Sequence, residues 1–188
     1  MINYGLPKTV EIDGNEYEIR SDYRAILDII EALNDVTLNG REKAYVVLTI
    51  FYPDIDNMPT DVYETALQKC FDFIECGKER DNKSHAPKLV DWAKDFQYII
   101  APINAVAGRE IRADEYLHWW TFIGYYNEIN GDCTFAQIVR IRDKQARGKK
   151  LDKDEREWLN RNMDLVVMPS QYTEQEEELL KMWGGQNG

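Results

Sequence analysis

The segment 114–129, DEYLHWWTFIGYYNEI, constrains the fold of this chain more than any other part of the sequence. It holds two adjacent tryptophans, three tyrosines, one phenylalanine and one of the two histidines of the chain. If the segment is a helix, with about 100° between successive residues, its apolar side chains cover well over half of the circumference. These side chains are Tyr116, Leu117, Trp119, Trp120, Phe122, Ile123 and Tyr126. Such a helix must be surrounded by neighbouring elements or contact another chain.

Two interpretations of this aromatic segment follow. The first is a central core helix, which is the usual place of such a residue set. The second is that some of its rings bind a partner protein, because tyrosine and tryptophan are enriched at the energetic centres of interfaces. For that second case we expect Trp119, Tyr125 and Tyr126 to be the partner-binding residues.

The rest of the chain predicts helices and only a small amount of β-structure. Residues 9–19 alternate apolar and polar side chains around Asp13 and Gly14, the pattern of a short β-hairpin. Beyond it, apolar residues recur at helical spacing, without the strand–helix alternation of the nucleotide-binding sheets. We therefore predict a mainly α fold, a helical domain of about six to eight helices with a short N-terminal hairpin.

Residues that can begin and end helices set the expected boundaries. Ser21, Thr60 and Thr134 are predicted N-caps, and Asp152 with Glu155 has capping-box spacing. A long amphipathic helix is expected over residues 87–107. Its apolar stripe contains Trp92, Phe96, Ile99, Ile100 and Ile103; Pro102 should bend or end it, and Gly108 should stop it.

The domain is expected to span residues 1–168, followed by an acidic amphipathic helix and tail over residues 169–188. This last segment carries Leu179, Leu180 and Trp183 behind an acidic run. These apolar side chains are expected either to dock on the helical domain or to bind a groove on a partner.

Charge and composition narrow the classes of protein. The formal net charge is −11, which argues against a general affinity for nucleic acid or anionic membranes. No apolar run is long enough to span a bilayer, and the first residues lack the pattern of a secretion signal. We expect a protein of the cytoplasm.

The residues that could support catalysis or metal binding are few. Glu115 and His118 form an E-x-x-H, which is half of a di-iron carboxylate set, but the only other histidine, His85, follows Asn82 at that spacing. No sequence motif of a nucleotide-binding loop or a nucleophilic hydrolase occurs. The sequence therefore predicts no catalytic, cofactor-binding or metal-binding residue, and a protein that is not an enzyme.

A locally basic run, RIRDKQARGKK at residues 140–150, has two interpretations. It is either a phosphate-contacting helix or a solvated face, and the acidic residues interleaved with it favour the solvated face. Arg142 differs from its neighbours because it falls on the apolar side of the helix. A buried arginine needs a carboxylate, and we expect Arg142 to form an ion pair with Asp95.

Four segments together resemble the bacteriophage Gp-fifteen family. They are LPKTVEIDGNEYEIRSDYR, DWAKDFQYIIAPINAVAGREI, LHWWTFIGYYNEI and FAQIVRIRDKQ, in that order, within about residues 6–162. The most specific parts are the L-P-x-x-V start, the following D-Y-R and the H-W-W. The resemblance implies a tail-module protein of long-tailed phages and prophages, encoded near the tape-measure protein, and it implies no catalytic residues.

The function implied by this resemblance is a tail assembly chaperone. Its expected partner is the helical tape-measure protein or another tail protein, and a homo-oligomer is possible. The alternatives are a tail completion or connector component of the mature particle, a helical metal-dependent enzyme, and a nucleic-acid binder acting through the basic run.

Overall fold

The computed structural model describes residues 5–77 and 87–168. The described residues form a two-stranded hairpin, eight α-helices and three short 3-10 helices. The elements are β1 (Thr9–Ile12), β2 (Asn15–Glu18), α1 (Tyr23–Asn34), α2 (Gly40–Phe51), α3 (Tyr63–Ile74), α4 (Trp92–Ala107), α5 (Trp119–Asn127), α6 (Thr134–Ala146), α7 (Lys153–Arg161) and α8 (Met163–Val166). The 3-10 helices are Ile55–Asn57, Thr60–Val62 and Ile111–Ala113. The predicted mainly α class with an N-terminal hairpin is confirmed.

The hairpin forms as the sequence pattern predicts. β1 and β2 are antiparallel, with Thr9 opposite Glu18. Asp13 and Gly14 both have positive φ, 51° and 79°, as the tight two-residue turn of a hairpin requires. Ile12 is buried, so one side of the hairpin closes over the helices.

The cap of α1 lies one residue later than predicted. Asp22, and not Ser21, accepts the backbone N–H of Arg24 at 2.9 Å. The Ser21 hydroxyl is instead hydrogen-bonded to the hydroxyl of Tyr116 at 2.8 Å. The carboxylate is the better acceptor at a helix N-terminus, where the helix dipole favours negative charge.

Two other cap predictions are also wrong, because neither threonine caps the helix that it was expected to begin. Thr60 begins a 3-10 turn without a side-chain cap, and the sulfur of Cys133, not the hydroxyl of Thr134, accepts the backbone N–H at the start of α6. The capping box of Asp152 and Glu155 is present at α7.

Two helices are shorter than the sequence pattern suggested. α4 begins at Trp92 instead of Pro87 and continues through Pro102 to Ala107, where Gly108 ends it in the left-handed conformation with φ 69°. The aromatic segment is helical only from Trp119, and the residues before it are extended or in a 3-10 turn.

Side chains from α1 to α5 form most of the core, and most buried apolar side chains belong to one cluster. Tyr23 of α1 stacks on Phe122 of α5 with ring centroids 4.6 Å apart and nearly parallel planes. α5 is therefore a central element, as the first interpretation of the aromatic segment expected. The domain boundary at residue 168 stays a prediction, since residues 169–188 lie outside the described ranges.

Candidate functional site

The three most specific motif pieces meet at one place in the fold. Asp22, of the D-Y-R, caps α1 with one carboxylate oxygen and accepts the backbone N–H of Leu117 at 2.9 Å with the other. The backbone N–H of Tyr23 donates to the carbonyl of Leu117 at 2.9 Å, and that of Trp119 donates to Ser21 at 2.8 Å. These bonds join the start of α1 to the start of α5.

His118 adds two further hydrogen bonds at this place, one through each ring nitrogen. Its Nδ1 accepts the backbone N–H of Trp120 at 3.0 Å, which caps α5, and its Nε2 donates to the carbonyl of Pro7 at 2.9 Å. Because Nδ1 accepts, the ring is the neutral Nε2–H tautomer. Burial lowers the pKa of His118, whose residue is only 2% exposed. Both nitrogens are occupied by the fold, so His118 is not free to act as a base or a ligand.

The two tryptophans of the H-W-W donate hydrogen bonds to backbone carbonyls at the end of another helix. The indole N–H of Trp119 donates to the carbonyl of Ile74, and that of Trp120 to the carbonyl of Phe73, each at 2.9 Å. These are the last carbonyls of α3, and that of Phe73 also accepts the backbone N–H of Cys76 at 3.0 Å. The H-W-W is therefore a structural motif that fixes α3 against α5.

This arrangement corrects the expectation that Trp119 contacts a partner. Trp119 is only 2% exposed, and its ring packs against Phe122 and Trp92. Tyr125 and Tyr126 are half-buried, and the ring of Tyr126 lies 5.0 Å from that of Trp92. Their role in partner binding stays a prediction.

The remaining partner-binding predictions fall on Leu179, Leu180 and Trp183, and these lie outside the described residues. His85 also lies outside them. Among residues 5–77 and 87–168, no group of three or more histidine, cysteine, aspartate or glutamate side chains is arranged to hold a metal ion.

The ion pair expected between Arg142 and Asp95 is present in the structure. The two nearest nitrogen–oxygen distances are 2.5 and 3.0 Å, and both side chains are almost fully buried. The guanidinium also donates to the backbone carbonyls of Leu89, Leu165 and Val166. All five of its N–H donors are thereby used, and α4, α6 and α8 are held together.

The cations of the basic run are largely paired with acidic side chains of the same domain. Lys144 lies 2.6 Å from Glu155, Arg140 lies 3.8 Å from the same carboxylate, and Arg147 lies 2.5 Å from Asp143. This pairing favours the interpretation of the run as a solvated, internally compensated face.

A groove between α1 and α4 combines apolar and charged groups. It encloses about 750 Å³. Its floor contains Leu27 and Ile30 of α1 and Trp92 and Phe96 of α4, all half-buried. Rings and branched aliphatic side chains left half-exposed in this way are suited to binding another apolar surface.

The rim of this groove is mainly acidic. Asp28, Glu31, Asp35 and Asp91 lie along it, with two arginines, Arg24 and Arg112. Both arginines are already paired, Arg24 with Asp22 at 3.1 Å and Arg112 with Glu110 at 2.8 Å.

Two of the rim carboxylates have no such compensation. Asp28 and Glu31 make no ion pair or side-chain hydrogen bond with residues 5–77 or 87–168. The exposed rim therefore keeps an excess of negative charge beside an apolar floor.

Sequence reasoning missed this groove, although part of its signal was present. Trp92 and Phe96 were predicted to lie on the apolar stripe of the helix over residues 87–107. In α1, Ile30 lies on an apolar stripe with Tyr23, Ile26 and Leu33. Leu27 lies beside the stripe of α1 and widens its apolar face. A helix whose apolar face is wider than its neighbours can cover is the signal that points to such a groove.

A second, smaller concave surface of about 460 Å³ lies beside α6 and α7 and is mostly polar. Two of its carboxylates, Asp152 and Glu155, form the capping box of α7, and Glu155 also pairs with Lys144. These groups serve the fold, so the groove between α1 and α4 is the stronger candidate site.

Comparison with known proteins agrees with the motif resemblance. Within the described ranges no helix has the length and apolar content needed to cross a bilayer. A family model described as Bacteriophage Gp15 protein matches residues 2–167. No curated protein and no solved structure matches the chain. The family is one of structural, tail-related phage proteins and is not known to be enzymatic. This chain of 188 residues therefore belongs to the Bacteriophage Gp15 protein family.

Proposed function

We propose that this protein is a non-enzymatic tail assembly chaperone that binds helices of the phage tape-measure protein during tail morphogenesis. The observation that carries the proposal is the groove between α1 and α4, with its half-exposed apolar floor and the unpaired carboxylates of Asp28 and Glu31 on its rim. Membership of a family of structural, tail-related phage proteins supports the same direction. Grooves of this composition commonly bind one face of an amphipathic helix.

The physical requirement for such a chaperone is clear. A long helical protein that awaits assembly exposes apolar surface, and exposed apolar surface leads to aggregation. A binder with a net charge of −11 keeps the complex soluble through repulsion between copies. Binding through a groove, without a covalent step, lets the growing tail displace the chaperone.

The groups that most resemble catalytic residues are used by the fold. Both nitrogens of His118 are hydrogen-bonded to backbone groups. Cys70 is buried, and burial raises the pKa of its thiol to about 12, so the thiol stays protonated and is a poor nucleophile. Binding of a partner protein is therefore a better explanation of the function of this molecule than catalysis.

The direct test is co-expression with the tape-measure protein of the same phage. We expect the tape-measure protein to be insoluble alone, and to become soluble and co-purify when this chain is present. Co-expression with an unrelated acidic helical protein of similar size is the control for a general effect of charge. Failure of the two proteins to co-purify, with no gain in solubility, would contradict the proposal.

Protein composition of purified virions separates this function from the alternative of a tail completion or connector component. A chaperone is expected to be absent from the mature particle, because it leaves when the tube assembles. A fixed copy number of this chain in every particle would favour the structural alternative.

A further inference from the structure

We infer that the groove between α1 and α4 is a docking site for an amphipathic helix whose apolar stripe is flanked by lysine or arginine side chains. This inference rests on the proposed function, and it names the chemistry of the segment that the partner must offer. It is carried by the shape of the groove and by the charges on its rim.

The dimensions of the groove suit a helix. One wall, α1, has 12 residues, which corresponds to about 18 Å of helix at roughly 1.5 Å per residue. The floor side chains Leu27 and Ile30 of α1 line the groove together with Trp92 and Phe96 of α4. A bound helix of three to four turns would cover all four.

The charges on the rim determine which charge the partner helix must carry. Asp28 and Glu31 are three residues apart on α1, about one helical turn, and neither is paired within the described ranges. Two basic residues spaced one helical turn apart on the partner helix would therefore each pair with one of these carboxylates. Such complementarity raises the association rate and fixes the register of binding.

The same charges argue against the C-terminal segment of this chain as the occupant. Residues 169–188 contain apolar side chains but also Glu174, Glu176, Glu177 and Glu178, with only one lysine, Lys181. Placed against the rim, these glutamates would repel Asp28 and Glu31, whether the segment came from the same copy or a second one. A basic helix of another protein fits the groove better.

The experiment uses two synthetic peptides as probes. Each is a model helix of about 18 residues, roughly 27 Å long, with one leucine stripe. In the first peptide lysines flank the stripe, and in the second glutamates replace them. Binding of each labelled peptide to the full-length protein is followed by fluorescence anisotropy. We expect saturable binding of the lysine peptide, weakened by added salt, and no binding of the glutamate peptide.

Charge reversal on the rim tests the acidic part of the inference. The double variant Asp28→Lys with Glu31→Lys should weaken binding of the lysine peptide by roughly tenfold or more. Both positions are exposed, so the fold should tolerate the change. The matched control is Glu11→Lys with Glu18→Lys, an equal change of charge on the exposed face of the hairpin, which should retain most of the binding.

A change at another residue of the groove lining tests the apolar part of the inference independently. Ala93 lies on the groove in the first turn of α4, where a glutamate suits the helix dipole. Ala93→Glu should therefore fold normally, keep the rim acidic and still prevent docking, because it places a larger, charged side chain in the groove. Ala101→Glu, at an exposed position of the same helix outside the groove, is the control and should bind like the unaltered protein.

Repeating these measurements with the tape-measure protein separates the inference from the proposed function. If the tape-measure protein binds all four variants equally, the groove is not the site and the inference is wrong, while the chaperone function stands. If the lysine peptide needs the rim and the floor but the tape-measure protein does not bind at all, the groove is a docking site and the proposed function is wrong. Equal binding of both peptides would also overturn the inference.

Discussion

At the scale of single residues, several polar side chains of this protein, buried or half-buried, each satisfy two or more backbone groups. Asp22 caps α1 and also holds the backbone N–H of Leu117. Arg142 combines its ion pair to Asp95 with three backbone carbonyls. Among the described residues, no buried side-chain nitrogen or oxygen is left without a hydrogen-bond partner. Single substitutions at such positions should therefore have large effects, since each leaves several groups unpaired.

The first prediction concerns the buried ion pair. Arg142→Met leaves the carboxylate of Asp95 buried without its partner, and should lower the free energy of unfolding by about 3–5 kcal/mol. Arg147→Met breaks an ion pair with Asp143 that is similarly short but exposed. This substitution should change the free energy of unfolding by less than about 1 kcal/mol. Urea unfolding followed by tryptophan fluorescence measures both. Equal effects of the two substitutions would show that burial does not govern the strength of the first pair.

The second prediction concerns pH and His118. Burial places its pKa in the folded protein below the unfolded value of about 6.5. Between these two values the unfolded chain binds more protons, so the free energy of unfolding should fall as the pH is lowered through that range. The slope from this one group is at most about 1.4 kcal/mol per pH unit.

The variant His118→Asn isolates this contribution. Asparagine retains an oxygen that can cap α5 but does not titrate. We expect the variant to be less stable at neutral pH, because the bond to Pro7 is lost, and its free energy of unfolding to depend less on pH as the pH falls below about 6.5. The same dependence on pH in both proteins would assign the effect to other groups.

At the scale of elements, local patterns predicted which segments are helical better than where each helix begins. The hairpin turn and the capping box at Asp152 follow from short-range chemistry, and both form as predicted. The predicted start of α5 was wrong. The residue before Trp119 is not helical because it forms an isolated β-bridge with the start of α1, between Asp22 and His118. Periodicity within the segment contains no information on a partner about 95 residues away.

The third prediction compares two glycines in different backbone conformations. Gly108 ends α4 with a φ of 69°, and a Cβ added there meets nothing within 4 Å. Gly108→Ala should therefore lower the free energy of unfolding by roughly 1–2 kcal/mol through backbone strain alone.

Gly124 lies inside α5 and also has space for a Cβ. Gly124→Ala should raise the free energy of unfolding by about 0.5–1 kcal/mol, because alanine loses less conformational freedom in a helix. Thermal unfolding of the two variants measures the opposite signs. The same sign for both would contradict the assignment of Gly108 to the left-handed end of the helix.

At the scale of the whole molecule, the sequence predicted the fold class and the Arg142–Asp95 pair but not the groove. The pair was predictable because an arginine on an apolar helix face needs a carboxylate wherever the chain supplies one. The groove depends on how far α1 and α4 separate, and that separation is set by the packing of every helix around them. The exposure of Leu27, and the choice between the core and partner-binding interpretations of Trp119, were therefore beyond the reach of local patterns.

The proposal that this protein works by binding a helix in its groove is tested most directly by hydrogen exchange on the complex with the tape-measure protein. Amide exchange is compared, by mass spectrometry, between the free protein and the co-purified complex. The account predicts slower exchange in α1 and in the first turns of α4, with little change in the hairpin and α7. Slower exchange confined to α6, α7 or the hairpin, with α1 and α4 unchanged, would contradict it.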